Sequence, residues 1–390
     1  MLVERAELSV REPREAYAVP SLSVRRAADP PPRSALSTPL CDLLGIRHAL
    51  LLAGMAGGPN TPELVSEVSR AGALGVLGVT GMTVDAVARA TQAALARAGG
   101  GPVGVNVQLA PRSPATGERE RIAAVLAPFR AELGLDPEPA AAPAADAPLA
   151  LLETAVAAGA SVITTFEDPT PAIAVARRAG IPLLAMVTTP EEAVRAVAAG
   201  ASGVIAQGTE AGGHRSAFVG VDVDPLRPEV GTLALVPQVV DALGPGVPVV
   251  ASGGIMDGRG IAAALALGAA GVSLGTRFLV ARESGIPDCY RRALAGCPAD
   301  GTVVTDAVSG RPARWIRNRI VDALVTAQVG TLGWGGQGAM VADIRRAATA
   351  QERADLLPML AGQGAGLAGE PQAAAEIVAV LLEQTAAARS

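Results

Sequence analysis

The chain has 390 residues and a formal net charge of −5, and no basic block stands out, so it is poorly suited to bind nucleic acid or an anionic membrane surface. Half of its residues are hydrophobic but only 2% are aromatic, which predicts an aliphatic core of strands alternating with closely packed helices. A small molecule is therefore the expected partner.

Three cysteines, Cys41, Cys289 and Cys297, are too few and too scattered for a disulfide framework or a four-ligand metal site. No apolar run approaches the roughly 18–20 residues that a membrane span needs, and the first residues are charged where a signal peptide would be apolar. We therefore expect a soluble cytoplasmic protein that does not enter a membrane.

Residues 1–36 mix charged side chains with five prolines and show no sustained hydrophobic period. Such a segment buries little apolar surface, which predicts a flexible N-terminal arm. The sequence indicates neither the role of this arm nor an oligomeric state.

From about residue 38 the chain repeats one unit: a short apolar run, a turn with glycine, an alanine-rich helical stretch and another glycine. A helix between closely spaced strands requires the strands to be parallel. Eight runs are present, the number that a closed (β/α)8 barrel, or TIM barrel, requires. An open doubly wound sheet is the alternative. The runs are 49–53, 73–78, 102–108, 161–166, 181–187, 202–207, 247–252 and 271–275.

The repeat is interrupted twice. Residues 109–148 contain proline and alanine clusters, which predict an elaborated loop and helix after the third strand. Beyond residue 283 the repeat gives way to helical patterns and a glycine-rich run. We predict a barrel over 37–283, a mainly helical cap over 284–360 inserted before the last helix, and a closing loop with that helix over 361–390.

In a barrel of this kind the active site lies at the carboxyl ends of the strands. The first strand ends in Gly54 and Met55, within a glycine-rich turn where small residues let a flat ligand approach the backbone. The third strand ends near Asn106, whose amide can both donate to and accept from a heterocycle.

The last two strands end in Ser252-Gly253-Gly254 and in Gly275-Thr276. This pair resembles the phosphate cradle of barrel enzymes, in which backbone N–H groups and a helix start face an anion. Glycines are needed there because a Cβ atom would hold the phosphate away. By contrast, the glycines between residues 72 and 78 enter a strand, so they are no dinucleotide fingerprint, and the run 362–366 has no strand before it.

The sixth strand leads into a loop with Gln207, Gly212, Gly213 and His214. Histidine is the side chain best suited to move protons near neutral pH, and its place in this loop makes His214 the candidate catalytic base. The other histidine, His48, precedes the first strand at the opposite face and is expected to be a surface or packing residue.

The order of these motifs resembles the nitronate monooxygenase family, formerly called 2-nitropropane dioxygenases. The resemblance runs from about 38 to 385 and rests on TPELVSEVSRAGALGVLG (61–78), GVNVQ (104–108), AQGTEAGGHR (206–215), ASGGI (251–255), LGTRF (274–278), SGRPARWIRNR (309–319) and AGQGAGL (361–367).

This resemblance implies an FMN-binding barrel in which His214 acts near the flavin. It also implies that the enzyme oxidises nitronates or nitroalkanes with O2 to a carbonyl compound and nitrite. It also implies flavin contacts from Met55, Asn106, Gln207, Gly213, Gly253, Gly254, Gly275 and Thr276. Some relatives carry tyrosines and a lysine in the C-terminal part of the site, whereas this chain has only Tyr17 and Tyr290. Trp334 is a candidate for that region.

Two other functions remain open. One is an NAD(P)H-dependent reductase of an enoyl thioester, as in the flavin-type enoyl-acyl-carrier-protein reductases of the same superfamily, or of a quinone, with His214 as proton donor. The other is a non-catalytic FMN-binding scaffold. The flavin's response to electron donors distinguishes the three.

Overall fold

The computed structural model describes residues 36–109, 115–139, 146–218 and 229–390. Except for Leu36, the arm predicted over 1–36 lies outside the described residues. The strands are β1 (Leu50–Leu52), β2 (Gly75–Gly78), β3 (Val103–Gln108), β4 (Val162–Phe166), β5 (Leu183–Val187), β6 (Gly203–Gln207), β7 (Gly213–His214), β8 (Val249–Ser252), β9 (Gly271–Leu274), β10 (Thr302–Thr305) and β11 (Ala313–Ile316).

The helices of the described segments begin with α1 (Pro39–Leu44), α2 (Pro62–Arg70), α3 (Val84–Arg97), α4 (Arg119–Glu132), α5 (Pro148–Ala157), α6 (Thr170–Ala179) and α7 (Pro190–Ala199). They continue with α8 (Thr232–Leu243), α9 (Gly258–Ala266), α10 (Thr276–Leu279), α11 (Asp288–Ala295), α12 (Arg319–Ala327), α13 (Gly336–Ala350) and α14 (Ala374–Arg389), and a 3-10 turn spans Ala365–Leu367. None of these helices is long and apolar enough to cross a membrane.

Eight parallel strands form the barrel in the order β1-β9-β8-β6-β5-β4-β3-β2. A parallel bridge between Leu51 and Leu74 joins the two ends of this sheet, and the N–H of Leu52 donates to the carbonyl of Leu74 at 2.9 Å. The predicted (β/α)8 fold is therefore confirmed, and the open doubly wound alternative is wrong. Each predicted strand agrees with an observed one to within two residues at either end.

Local sequence explains why the elements begin and end where they do. Threonines at 61, 83 and 189 accept a hydrogen bond from the backbone N–H three residues later and so cap α2, α3 and α7. At the other end, Gly180 and Gly200 adopt positive φ angles of 65° and 115° after α6 and α7, a conformation that glycine adopts without a Cβ penalty.

The region after residue 283 contains more than the predicted helices. Strands β10 and β11 pair antiparallel, and β11 also pairs with β7, which makes a small three-stranded sheet at the carboxyl ends of the barrel strands. A second apolar cluster packs α4 against this region, through side chains such as Leu126, Leu324 and Ile344. The division into a barrel over 37–283, a cap over 284–360 and a closing segment over 361–390 remains our proposal.

Helix α14 packs against α9 and α2, the helices that flank β9 and β1. Its contact with α9 is close, because a Cβ atom on Gly258 would lie 2.2 Å from the backbone of Gln384 and Thr385. Gly258→Ala should therefore separate the two helices and lower the free energy of unfolding by about 1–3 kcal/mol. The measurement is the denaturant midpoint.

A matched control for this variant is Gly338→Ala in α13, where nothing lies within 4 Å of the added Cβ. Replacing an unhindered helical glycine by alanine stabilises by roughly 0.5–1 kcal/mol. Equal midpoints for the two variants would show that α14 does not press on Gly258.

Candidate active site at the carboxyl ends of the strands

The ends of β1, β2 and β3 are in close contact. A Cβ atom on Gly54 would lie 2.1 Å from Cβ of Asn106, and one on Gly78 would lie 2.5 Å from the carbonyl carbon of Met55. Asn106 is buried, and its Nδ2 donates to Oγ1 of Thr164 at 2.8 Å. These contacts fix the Met55 backbone and the Asn106 amide at one side of the barrel mouth.

The ends of β8 and β9 present backbone donors without acceptors. Among the described residues, nothing accepts a hydrogen bond from the N–H of Gly253, Gly254 or Gly275. Gly253 and Gly254 have φ angles of 115° and 71°, where a side chain would be strained. A group of free N–H donors on residues that carry no Cβ atom suits an anion such as a phosphate.

The closing loop contributes to the same place. Oγ1 of Thr276 accepts from the N–H of Gly362 at 3.0 Å, which leaves its hydroxyl hydrogen available to a ligand. A Cβ atom on Gly212 would lie 2.5 Å from the nitrogen of Gly362. Because no strand precedes the run 362–366, the run alone is weak sequence evidence for a binding loop. Its inclusion in the AGQGAGL motif was the available signal.

Gln207 and Ser252 hold the loop that follows β6. Nε2 of Gln207 donates to the carbonyl of His214 at 2.9 Å, and its Oε1 accepts from the N–H of Ser216 at 3.0 Å. The carbonyl of Ser252 accepts from the N–H of Gly208 at 2.9 Å. Through these contacts Gln207 orients the loop that carries His214. A contact between Gln207 and the edge of the flavin remains a prediction.

His214 lies on β7, where it pairs with Ala313 of β11, while Gly213 pairs with Arg314. Its Nε2 is 3.0 Å from Oγ of Ser309, and that hydroxyl lies 3.2 Å from the carbonyl of Arg311. Because a carbonyl can only accept, Ser309 donates to Arg311 and accepts from His214. This assignment places the ring hydrogen on Nε2 and leaves Nδ1 free to take a proton.

Two tryptophans contact the imidazole with their rings steeply inclined to it. The ring centroids of His214 and Trp334 are 4.8 Å apart at an interplanar angle of 75°, and those of His214 and Trp315 are 6.1 Å apart at 85°. Burial in these surroundings lowers the pKa of His214 from 6.5 to about 3, with the positive charge of Arg311 as a second cause. The imidazole is therefore neutral at physiological pH.

The cofactor-binding residues predicted from sequence thus lie at the ends of β1, β3, β6, β8 and β9 or in the loops just beyond them. The candidate base lies beside them on β7, and His48 lies before β1. Sequence reasoning did not single out Glu167, Ser309, Arg311 or Trp315, although the last three lie within SGRPARWIRNR.

A family model described as nitronate monooxygenase matches residues 37–384. The chain belongs to the nitronate monooxygenase family. Curated relatives include a probable nitronate monooxygenase of Staphylococcus saprophyticus, 48% identical over 141 residues, 36% of this chain and 39% of that protein. Another, from Staphylococcus aureus strain JH9, is 39% identical over 192 residues, 49% of this chain and 53% of that protein. The chain thus spans about half the length, or less, of these relatives.

Solved structures match over a greater length. A nitroalkane oxidase from Streptomyces ansochromogenes has a TM-score of 0.78 and 34% identity, covering 90% of this chain and 98% of that one. FabK from Thermotoga maritima has a TM-score of 0.71 and 28% identity, with 90% and 97% coverage. The enoyl reductase domain of MlnA from Bacillus amyloliquefaciens, 14% identical with a TM-score of 0.65 and 92% and 99% coverage, shows the fold alone.

In this member of the nitronate monooxygenase family, His214 should stay neutral between roughly pH 5 and pH 8, where an ordinary histidine titrates. Since its folded pKa lies below the unfolded value, the native state loses stability as the pH falls from 6.5 towards about 3. Ring ¹⁵N NMR measures the titration directly. The chain has two histidines, so His48→Gln assigns the signals, and a midpoint near 6.5 for His214 would contradict the expectation.

Proposed function

We propose that this protein is an FMN-dependent oxidoreductase that oxidises nitroalkanes or nitronates with O2 to a carbonyl compound and nitrite. The observation that carries the proposal is a neutral His214 with Nδ1 free, at the same end of the barrel as unpaired N–H donors of the strand-end glycines. Family membership and the 34% identity to a nitroalkane oxidase support it.

The residues fit a flavin mononucleotide. Gly253, Gly254 and Gly275 would donate their free N–H groups to the phosphate, and the Thr276 hydroxyl would add a further donor. The isoalloxazine ring would lie against the Met55 backbone, which close contact with Gly78 fixes in place, with Asn106 at its edge. FMN fits better than FAD because no dinucleotide fingerprint is present for an adenosine half.

When bound, the flavin supplies the electron transfer between substrate and O2. The protein positions the substrate and handles its proton. Nδ1 of His214 would take the α-proton of a neutral nitroalkane, while Nε2 stays bonded to Ser309. A pKa of about 3 makes the resting imidazole a weak base. The nitronate anion formed beside it raises that pKa, because an opposite charge within ~4–6 Å favours the charged imidazolium.

Trp334 and Trp315 exclude water from two sides of the imidazole, which strengthens the attraction between imidazolium and nitronate. Arg311 opposes protonation in the resting site and attracts the anionic product of proton removal. The site therefore favours a substrate that becomes negative as the histidine becomes positive.

An anaerobic screen of the purified protein decides between this activity and its rivals. Reduction of the flavin by nitronates, with nitrite release once O2 is admitted, is the expected result. Bleaching by NADH or NADPH but not by nitronates would instead indicate a reductase of an enoyl thioester or a quinone. A flavin inert to every donor would indicate a non-catalytic protein.

We expect the purified protein to be yellow and to release FMN on denaturation. Gly254→Ala should raise the dissociation constant for FMN roughly tenfold or more, equivalent to ~1.4 kcal/mol. The added Cβ would lie 3.2 Å from Cβ of Glu210 and would displace the free N–H. Fluorescence titration of the apoprotein with FMN is the measurement.

The control is Gly180→Ala, because Gly180 has a similar φ of 65° but no atom within 4 Å of the added Cβ. It imposes the same backbone strain away from the cradle. Gly364 is no such control, since its Cβ would lie 2.5 Å from Cγ of Met256. If both alanine variants bound FMN like the parent protein, the phosphate would have to bind elsewhere.

His214→Asn should retain FMN but lower the turnover of a neutral nitroalkane by roughly 10²–10⁴-fold, the usual cost of a lost general base. A pre-formed nitronate needs no proton removal, so its turnover should fall less. Initial rates of O2 uptake with both forms of one substrate give the comparison. Undiminished turnover of the neutral form by a variant that retains flavin would show that His214 is not the base.

A further inference from the structure

Glu167 and Arg311 form a buried ion pair between the barrel and the segment that joins β10 to β11. Nη1 of Arg311 donates to Oε1 of Glu167, and the two side chains are 9% and 3% exposed. Glu167 follows β4, at the end of the barrel that carries His214. Glu167 has no part in the proposed reaction, and Arg311 enters it only through its charge.

Glu167 is held in an unusual backbone conformation. Its φ of 64° lies in the left-handed region that non-glycine residues rarely adopt. Oε2 accepts from the N–H of Leu109 at 3.0 Å, and the N–H of Glu167 donates to Oγ of Ser216 at 2.9 Å. The residue thus joins the ends of β3 and β4 to the loop of His214, and such strained positions cluster at functional sites.

A continuous path leads from this pair to the imidazole. The carbonyl of Arg311 accepts the Ser309 hydroxyl hydrogen at 3.2 Å, and Oγ of Ser309 faces Nε2 of His214 at 3.0 Å. The Arg311 guanidinium also lies 6.0 Å from the ring centroid of Trp334, which contacts the same imidazole. The position of Arg311 therefore sets the direction of the Ser309 hydroxyl and supports the Trp334 ring.

We propose that Glu167 and Arg311 are a positioning pair for His214, which holds the turn at 309–311 so that Ser309 accepts from Nε2 and Nδ1 takes the substrate proton. This inference rests on the proposed function for its catalytic consequence only. The geometry of the resting site can be tested without any substrate.

Stability alone does not account for the pair. Replacing a buried ion pair by apolar side chains of similar size is often neutral or stabilising, because two charges must be removed from water to form it. The charges do matter at His214, since Arg311 contributes to the lowered pKa of that ring. The Glu167 carboxylate beside the guanidinium limits this repulsion. Ser309, Trp315 and Trp334, which also contact the imidazole, carry no charge.

The test uses FMN-loaded protein with Glu167→Gln, Arg311→Met and the double variant. Ring ¹⁵N NMR reports which nitrogen of His214 carries the hydrogen, and steady-state kinetics with a neutral nitroalkane separate kcat from KM. We expect hydrogen on Nε2 in the parent protein and a mixture of tautomers in the variants. We expect kcat to fall about tenfold with little change in KM. This loss is smaller than the roughly 10²–10⁴-fold loss of rate when a general base is removed, because the imidazole is still present.

Because both single changes remove the same interaction, the double variant should lose no more than the worse single variant. Asp343→Asn is the matched control. It breaks the buried pair of Arg130 and Asp343, 2% and 9% exposed, which ties α4 to α13 without contacting Ser309. This control should lower the midpoint of unfolding but leave the His214 tautomer and kcat as in the parent protein.

An unchanged tautomer in Glu167→Gln, or the same tautomer change in Asp343→Asn, would overturn the proposal. If Glu167→Gln does not retain FMN, Arg311→Lys serves instead, because lysine keeps the charge but loses the planar fork of donors. A parent-like tautomer in Arg311→Lys would equally overturn it. Should the protein not oxidise nitroalkanes, the proposed function would fail while the tautomer measurement still decides the role of the pair.

Discussion

The site depends on the antiparallel pairing of Gly213–His214 with Ala313–Arg314. A strand of two residues has no stability of its own, so β7 exists only because β11 pairs with it. One partner comes from the barrel and the other from the region beyond residue 283. Gln207 bonds the histidine loop from the barrel side, and Ser309 bonds the ring from the other side. His214 is therefore positioned only when both parts are folded.

Buried arginines hold the irregular segments around this pairing. Arg215 donates to the carbonyl of Gly208, Arg314 donates to that of Thr209, and Arg277 donates to that of Ala368. Loops at the mouth of a barrel lack the ladder partners of strands, and a guanidinium with five donors in a fixed fork can satisfy several carbonyls at once. Burial lowers the pKa of all three guanidiniums.

The backbone N–H groups that have no acceptor are the groups available to bind a ligand. The carbonyls of Gly208, Thr209 and Ala368 accept from these arginines, whereas the N–H groups of Gly253, Gly254 and Gly275 are not bonded within the described residues. Fixed, unpaired N–H groups need no reorganisation when an anion arrives, which makes them effective electrostatic partners. The same rigid frame presents a neutral imidazole at a neighbouring strand end. The proposed anion binding and the proposed proton transfer would thus share one set of supports.

The sequence by itself determined the barrel. Its parallel strands are buried on both faces, by the helices outside and by the barrel core inside, so they appear as short apolar runs at a regular spacing. It also located the residues at the strand ends, where barrel enzymes place their chemistry. It did not predict β10 and β11, which are four residues each and lie outside the repeat. Only the tertiary structure decided the protonation state and tautomer of His214. Ser309 is 95 residues from His214 and Arg311 is 144 residues from Glu167, and contacts over such separations leave no local pattern in a single sequence.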